Sequence, residues 1–210
     1  MDYNSLKRVI LAYNTIIKSY SRGGYNMKKG FKWFDDKLIE ILNERIKNDF
    51  LDKFMLKFTN FGGGIFTTFF TLALILFGKG KVRFIGIQIA ITLLISQGIT
   101  YSLKALLSRE RPYNMLKNLN TFGITLKDYS FPSGHSSASF SIAAAIAFNI
   151  PKLSILVFAV ALTVGISRIY LGVHYPTDVA AGIILGIGSA LVVHAYLLTY
   201  IEKFISVLRI

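Results

Sequence analysis

Long apolar runs dominate the chain from residue 58 onwards. Three of them, 58–78, 84–103 and 179–201, are long enough to cross a bilayer, because a membrane-spanning helix needs about 20 apolar residues. Two further runs, 136–151 and 153–168, have about fifteen residues each and lie near the lower limit for a span. Read alone, either could be a buried helix of a soluble protein. Each meets a polar cluster at one end that could continue the helix into the interface, so we interpret both as spans.

The first 57 residues show a different pattern, in which apolar positions recur among many charges. Residues 1–60 contain 12 Lys or Arg and 7 Asp or Glu. One apolar stripe consists of Leu38, Leu42, Ile46, Phe50 and Phe54, and a weaker one of Leu6, Val9, Ile10, Tyr13 and Ile17. Such spacing predicts amphipathic helices. They would either lie in the membrane interface or dock on the protein's own surface.

These patterns predict an all-α fold, a polytopic membrane helical bundle with about five transmembrane helices and N-terminal amphipathic interfacial helices. Residues 1–57 would form the basic amphipathic region and residues 58–210 the transmembrane core. The turn at 78–83 would join the first two spans as a hairpin. An odd number of spans would place the two termini on opposite sides of the membrane.

Composition supports a membrane location and narrows the chemistry. The chain has 210 residues, of which 53% are hydrophobic, so it is too apolar for an ordinary soluble fold. The net charge of +13 accompanies the apolar runs, and therefore fits anionic lipid head groups or a phosphate substrate better than nucleic acid. The absence of cysteine excludes disulfides, zinc–thiolate sites and iron–sulfur clusters. No feature specifies an oligomeric state.

Polar residues of the apolar region fall into three clusters, each at a membrane end of a predicted helix. The first follows the run 84–103 and contains Lys104 and Arg111, which are seven residues apart. Both would project from one face if the helix continued to Pro112. Two converging cations suit a phosphate dianion. The alternative is that these basic residues only flank a span by snorkelling.

The second cluster, Phe131-Pro-Ser-Gly-His-Ser-Ser137, directly precedes an apolar run. Gly134 would let the backbone approach a ligand closely, and Ser136 or Ser137 could cap the helix whose free N–H groups favour a phosphate. His135 at this position could donate a proton to a leaving oxygen. The alternative is a capped turn with an incidental histidine.

The third cluster runs from Ser167 to Asp178 and leads into the last span. Pro176 fits the first position of a helix, which places Asp178 in the first turn and His174 just outside it. A carboxylate there can fix the tautomer of the imidazole and stabilise its positive charge, leaving the other ring nitrogen free to attack. The alternative is a helix cap by Asp178 beside an interfacial histidine.

In their order, the three clusters resemble the signature of the type 2 phosphatidic acid phosphatase superfamily, whose members are also called lipid phosphate phosphatases and share their site with vanadium haloperoxidases. The signature K-x6-R-P, P-S-G-H and S-R-x5-H-x3-D is matched at every defined position. The matching residues are Lys104, Arg111, Pro112, Pro132, Ser133, Gly134, His135, Ser167, Arg168, His174 and Asp178. The match covers residues 104–178, and the flanking spans agree with the helical membrane core of the family.

This resemblance implies a lipid phosphate phosphatase that needs neither a metal nor another cofactor. His174 would form a phosphohistidine, Asp178 would activate it, and His135 would protonate the departing oxygen and then help water to hydrolyse the intermediate. The phosphoryl oxygens would be held by positive charges and backbone N–H groups. The residues implied for this binding are Lys104, Arg111, Arg168, Ser133 and Gly134.

The expected substrates are undecaprenyl diphosphate, phosphatidylglycerophosphate and phosphatidate, in that order. One alternative is a phosphotransferase that passes the phosphate to another lipid. A non-hydrolytic lipid transporter is a second alternative, but it predicts loss of His174, Asp178 or His135, and all three are present. The resemblance also implies a cell-membrane protein with its site on the extracytoplasmic face. In that orientation the basic N-terminal region would lie outside, against the usual charge bias.

The third histidine of the chain, His194, is predicted to lie outside the site. It follows Asp178 by 16 residues, which corresponds to about 24 Å along a helix. A buried packing role, or a role in carrying a proton, fits this position better.

Overall fold

The computed structural model describes residues 29–116, 119–201 and 203, and most of them are helical. Two helices precede the bundle: α1 (Lys29–Ile39, continued by a π-helix Glu40–Arg45) and α2 (Asp49–Phe58, continued by a 3-10 turn Thr59–Gly62). The others are α3 (Gly64–Phe77), α4 (Lys81–Leu107), α5 (Pro112–Met115), α6 (Gly134–Asn149), α7 (Ser154–Tyr170) and α8 (Pro176–Val192, continued by a π-helix Val193–Leu197). No strand occurs among the described residues, which confirms the all-α class for this part of the chain.

Within the described ranges, three helical segments are long and apolar enough to cross a membrane: Lys81–Met115, Pro151–Tyr170 and Pro176–Ile201. A fourth is added if the bent pair Asp49–Gly62 and Gly64–Phe77, which meet at 51°, counts as one span. Five spans are therefore not confirmed. The predicted run 58–78 is interrupted because Gly63 adopts an extended conformation, so α3 begins only at Gly64 and has 14 residues.

The run predicted as a span at 136–151 forms the central helix α6, which has 16 residues. Its rise of about 24 Å is shorter than the roughly 30 Å hydrocarbon core of a bilayer. It packs against α4, α7 and α8, and its buried side chains are mainly those of Ala and Ser. The apolar content of this run reflects burial inside the protein, a role that hydropathy alone does not distinguish from contact with lipid.

Two glycines of α8 allow it to approach α6 very closely. A Cβ atom on Gly182 would lie 2.6 Å from the carbonyl oxygen of Ser133, and one on Gly186 would lie 2.5 Å from that of Ser137. Only residues without a side chain permit this backbone contact. The backbone N–H of Ser133 also donates to the carbonyl of Asp178 at 3.0 Å. The second and third polar clusters are therefore held side by side.

The amphipathic segment docks on the bundle through part of its apolar surface. Ile39 of α1 packs with Ile169, Tyr175 and Val179, and Met55 of α2 packs in a second cluster against the segment after α7. The predicted stripe is only partly buried, because Phe50 is 74% exposed. The helical conformation is interrupted between the π-helix and α2, whose N-cap is Asn48. The stripe therefore does not lie on one continuous helix. The weaker stripe at residues 6–17 lies outside the described residues.

His194 lies among polar residues at the opposite end of α6. Its Nδ1 is 3.2 Å from Nε2 of Gln88, and Oε1 of Gln88 accepts a hydrogen bond of 2.6 Å from Asn149. The ring is also 5.0 Å from that of Phe148. This cluster joins α4, α6 and α8 away from the predicted site, as the sequence spacing suggested.

Candidate active site

A cavity of about 720 Å³ lies between α3, α4 and α6 and is closed by Arg168 of α7 and by His174 in the turn that follows α7. Six of the eight sequence-predicted site residues line it: Lys104, Arg111, Gly134, His135, Arg168 and His174. The other two, Ser133 and Asp178, lie directly behind the lining and are fully buried. The structure thus brings all three sequence clusters to one place.

His174 lies in the turn between α7 and α8, and its ring is buried. Nε2 is 3.3 Å from Nη1 of Arg111. Nδ1 has no hydrogen-bond partner among the described residues and lies 3.6 Å from Oδ2 of Asp178, which is beyond hydrogen-bond range. Burial, reinforced by the positive charges of Arg168 and Arg111, lowers the pKa of His174 well below its usual value. The imidazole is therefore neutral at neutral pH, with a lone pair available.

Asp178 occupies the first turn of α8, which begins at Pro176 as predicted. Its Oδ2 accepts a hydrogen bond from the backbone N–H of Tyr175 at 2.9 Å and one from the hydroxyl of Ser130. Its Oδ1 accepts from Arg109 at 2.5 Å. These three donors hold the carboxylate in one orientation, with Oδ2 toward the His174 ring.

Lys104 and Arg111 converge as predicted, but not on one helix. The expectation of a helix continuing to Pro112 is wrong, because α4 ends at Leu107 and Ser108 has a left-handed conformation with φ of 45°. Arg111 follows in extended conformation as the N-cap of α5. Its Nη1 donates to the carbonyl of Val173 at 2.7 Å, which fixes the guanidinium beside His174.

Arg168 enters the cavity from the last turn of α7. Its Nη1 donates to Oγ1 of Thr59 at 2.8 Å, whereas its buried Nε has no partner in the described part of the chain. An unpaired guanidinium donor in a buried cavity is costly. The unpaired Nε donor therefore suits an anion that enters the cavity.

Ser133 caps α6, so the prediction of Ser136 or Ser137 as the cap is wrong. Its Oγ accepts from the backbone N–H of Ser136 at 3.4 Å and from the hydroxyl of Ser136 at 2.9 Å. Gly134 and His135 are the first two residues of α6 and line the cavity. The positive end of the α6 dipole therefore points into the site.

Asp128 pairs with two of the predicted phosphate-binding cations. Its carboxylate lies 2.9 Å from Nζ of Lys104 and 2.6 Å from Nη2 of Arg111, although its side chain is half exposed. Burial opposes the ionisation of this carboxyl, but pairing with Lys104 and Arg111 prevails and lowers the pKa of Asp128 to about 2. The Asp128 carboxylate is thus ion-paired with two cations that could also bind a phosphate.

Sequence reasoning missed several side chains that contact the predicted site residues directly or, in the case of Asp35, through Arg109. Those residues are Asp35, Thr59, Arg109, Asp128 and Ser130. Arg109 and Asp128 had a sequence signal, since they are charged residues close to the matched motifs. Asp35 had none, because it lies far from the motifs in sequence and reaches the site only through docking of α1.

Among the described residues, no three or more His, Cys, Asp or Glu side chains are grouped so that they could hold a metal ion. The charged groups lining the cavity are mainly cationic: Lys104, Arg111 and Arg168 face Asp128 there. This arrangement suits an anionic ligand.

The chain is similar to known proteins both in sequence and in fold. A family model described as the PAP2 superfamily matches residues 85–202. The bacitracin transport permease protein BcrC of Bacillus licheniformis is 38% identical over 128 residues, covering 60% of this chain and 63% of that protein. An undecaprenyl-diphosphatase of Sulfolobus acidocaldarius is 36% identical over 115 residues, covering 54% and 55% respectively. The chain thus spans less than two thirds of the length of these relatives.

The fold is similar to that of a solved structure, Aquifex aeolicus LpxE. The TM-score is 0.69 at 28% sequence identity, and the match covers 77% of this chain and 95% of that one.

Proposed function

The chain belongs to the PAP2 superfamily, and from this membership we propose that it is a membrane phosphatase that hydrolyses a lipid phosphate or diphosphate through a phosphohistidine on His174. The observation that carries the proposal is that a neutral, buried imidazole and three cations share one cavity with His135. Undecaprenyl diphosphate is the first candidate substrate, since a relative is named for that activity. Phosphatidylglycerophosphate and phosphatidate follow.

In the first step Nε2 of His174 attacks the phosphorus atom, and the bond from phosphorus to the lipid or phosphate oxygen breaks. In this step His135 must be in its protonated form, and it gives that proton to the departing oxygen. The imidazole becomes positively charged as the nitrogen–phosphorus bond forms, and Asp178 offsets this charge from the Nδ1 side. In the second step His135 takes a proton from a water molecule whose oxygen attacks the phosphorus. The nitrogen–phosphorus bond breaks, which releases inorganic phosphate and restores neutral His174.

The three cations and the start of α6 would hold the phosphoryl oxygens during both steps. Arg111 lies next to the attacking nitrogen, at 3.3 Å, and Arg168 has a free Nε donor. Lys104 and the Ser133–Gly134 backbone complete the set. Preorganised positive charge of this kind stabilises the charge that develops on the transferring group.

The apolar half of the cavity supports a lipid as the rest of the substrate. It extends between α3 and α4 and is lined by Leu72, Ile75, Leu93 and Leu94. A hydrocarbon chain attached to a phosphate in the polar half would occupy this space and lose its contact with water. A small soluble phosphate ester would leave it empty.

Purified full-length protein should release inorganic phosphate from one or more lipid phosphates in detergent, with EDTA present. A panel of the three candidate lipids, with phosphate release as the readout, tests this directly. Loss of activity in EDTA would contradict the metal-independent reaction. Release that requires an acceptor lipid would indicate the phosphotransferase alternative.

Substitution of Asp128 by asparagine should tighten the binding of inorganic phosphate by about fivefold. The carboxylate pairs with Lys104 and Arg111, so an incoming phosphate must displace it, and the neutral amide competes less. Isothermal titration at neutral pH measures this affinity. The matched control is Glu110→Gln, since Glu110 is exposed and bonds to Asn114. Weaker phosphate binding by Asp128→Asn would show that Asp128 supports the cations and does not compete with phosphate.

We also propose that the site faces the extracytoplasmic side. The two connections at the end of the bundle away from the site, together with the first turn of α4, contain Lys79, Lys81, Arg83 and Lys152 and no acidic residue. Such basic connections favour the cytoplasm. Because the chain has no cysteine, single cysteines can report the orientation. A membrane-impermeant maleimide on intact cells should label Lys127→Cys in the site-side loop and not Lys81→Cys. The reverse pattern would place the site inside.

A further inference from the structure

A buried guanidinium joins two buried carboxylates behind His174. Arg109 donates through Nη1 to Oδ1 of Asp178 at 2.5 Å and through Nη2 to Oδ2 of Asp35 at 2.8 Å. Both carboxylates are fully buried, and the Arg109 side chain is only 12% exposed. Its guanidinium carbon also lies 3.9 Å from the ring centroid of Tyr175. These contacts hold the guanidinium in a single geometry.

Asp35 also holds the start of α8, the helix that carries Asp178. Its Oδ1 accepts from the backbone N–H of Thr177 at 3.0 Å, and its Oδ2 accepts from the hydroxyl of Thr177 at 2.7 Å. The N-terminal N–H groups of a helix need such an acceptor. The acceptor comes from α1, a helix outside the matched motifs.

Docking of α1 on the bundle does not by itself explain why Asp35, Arg109 and Asp178 are buried together. Ile39 already buries an apolar contact between α1 and the bundle, and burying additional charged groups carries a desolvation cost. The guanidinium is directed at Asp178, whose other oxygen faces the unpartnered Nδ1 of His174. Because Arg109 is shared between two carboxylates, the three groups together keep one negative charge beside the imidazole.

We propose that Asp35 and Arg109 are positioning residues for the reaction at His174. They fix the Asp178 carboxylate toward Nδ1 and leave it with negative charge, which offsets the charge that the imidazole gains when Nε2 bonds to phosphorus. This inference rests on the proposed function. It assigns a part in the chemistry to α1.

The binding of two anions, vanadate and phosphate, can distinguish this positioning role from a purely structural one. The experiment needs no lipid substrate. Orthovanadate accepts a bond from Nε2 and imitates the five-coordinate phosphorus of the transition state, whereas inorganic phosphate binds the cations without that bond. Asp35→Asn should weaken vanadate binding by about tenfold and change phosphate binding by less than about twofold. Titration calorimetry on the full chain in detergent measures both affinities.

Asp36→Asn is the matched control, because Asp36 is the next residue of α1 and makes no hydrogen bond to Arg109 among the contacts of that guanidinium. Both of its affinities should stay within about twofold of the wild type. Asp35→Glu keeps the charge and should recover most of the vanadate affinity. Should Asp35→Asn not fold, Arg109→Lys tests the same point, since a lysine cannot bridge two carboxylates as a fork does. It should also weaken vanadate binding selectively.

Equal weakening of vanadate and phosphate binding by Asp35→Asn or Arg109→Lys would indicate general damage to the site and would overturn the inference. Unchanged vanadate affinity would overturn it too. The outcome for the proposed function is read separately, from lipid phosphate release by the wild type. If Asp35→Asn weakens vanadate binding selectively but the wild type hydrolyses no lipid phosphate, the lipid substrate is contradicted and the positioning role is supported.

Discussion

His174→Ala is expected to lower kcat for lipid phosphate hydrolysis by at least about 10⁴-fold. The substitution removes the imidazole that we propose as the nucleophile, while Lys104, Arg111 and Arg168 remain in the cavity. Inorganic phosphate should therefore still bind, with an affinity changed by only a few-fold at most. Phosphate release under initial-rate conditions, together with calorimetric phosphate titration, measures the two effects on the same preparation.

The chain provides a matched control in His194, a histidine at the opposite end of α6 that contacts Gln88. His194→Ala should keep kcat within about threefold of the wild type, apart from any loss of folded protein. Residual turnover of His174→Ala above roughly 0.01 per cent of wild type would mean that another group attacks phosphorus. A similar loss in both variants would point to damage of the fold.

Asp178→Asn is expected to lower kcat by about 10²- to 10³-fold and to change KM by less than about threefold. The amide keeps the size of the carboxylate but removes the negative charge facing Nδ1 of His174 at 3.6 Å. That charge matters most when the imidazole becomes positive in the transition state, so binding of the substrate should change little. Initial rates over a range of lipid concentration separate kcat from KM.

Asp128→Asn, which also removes one acidic charge from the site region, serves as the comparison for Asp178→Asn. Its carboxylate contacts the phosphate-binding cations and not the back of the His174 ring, so its effect should fall mainly on binding. A change confined to KM in Asp178→Asn would refute its activating role. Melting curves of both proteins in detergent show whether the two variants are equally folded.

The sequence predicts which candidate site residues lie together within each cluster, because each cluster is local. His174 and Asp178 are four residues apart, and a helix starting at Pro176 leaves few ways to place them. Gly134 and His135 likewise follow directly from the start of an apolar helix. The spacing of such motifs determines their geometry over one or two helical turns, and long-range packing only brings the clusters together.

Features that depend on tertiary contacts could not be predicted in this way. Hydropathy predicts α6 as a span, but the pattern of Ala and Ser does not reveal that α4, α7 and α8 surround this helix. The left-handed turn at Ser108 ended α4 without a glycine to signal it. Asp35 reaches Arg109 only because α1 docks on the bundle, and no local pattern encodes that contact.

The phosphohistidine at His174 is tested most directly by rapid acid-free quenching of the enzyme during turnover of a lipid labelled with radioactive phosphate. Wild-type protein should carry label that is stable in alkali and labile in acid, in the peptide that contains His174. The same label should be absent from His174→Ala. Turnover by the wild type without labelled protein, or label that persists in His174→Ala, would contradict a covalent intermediate on this residue.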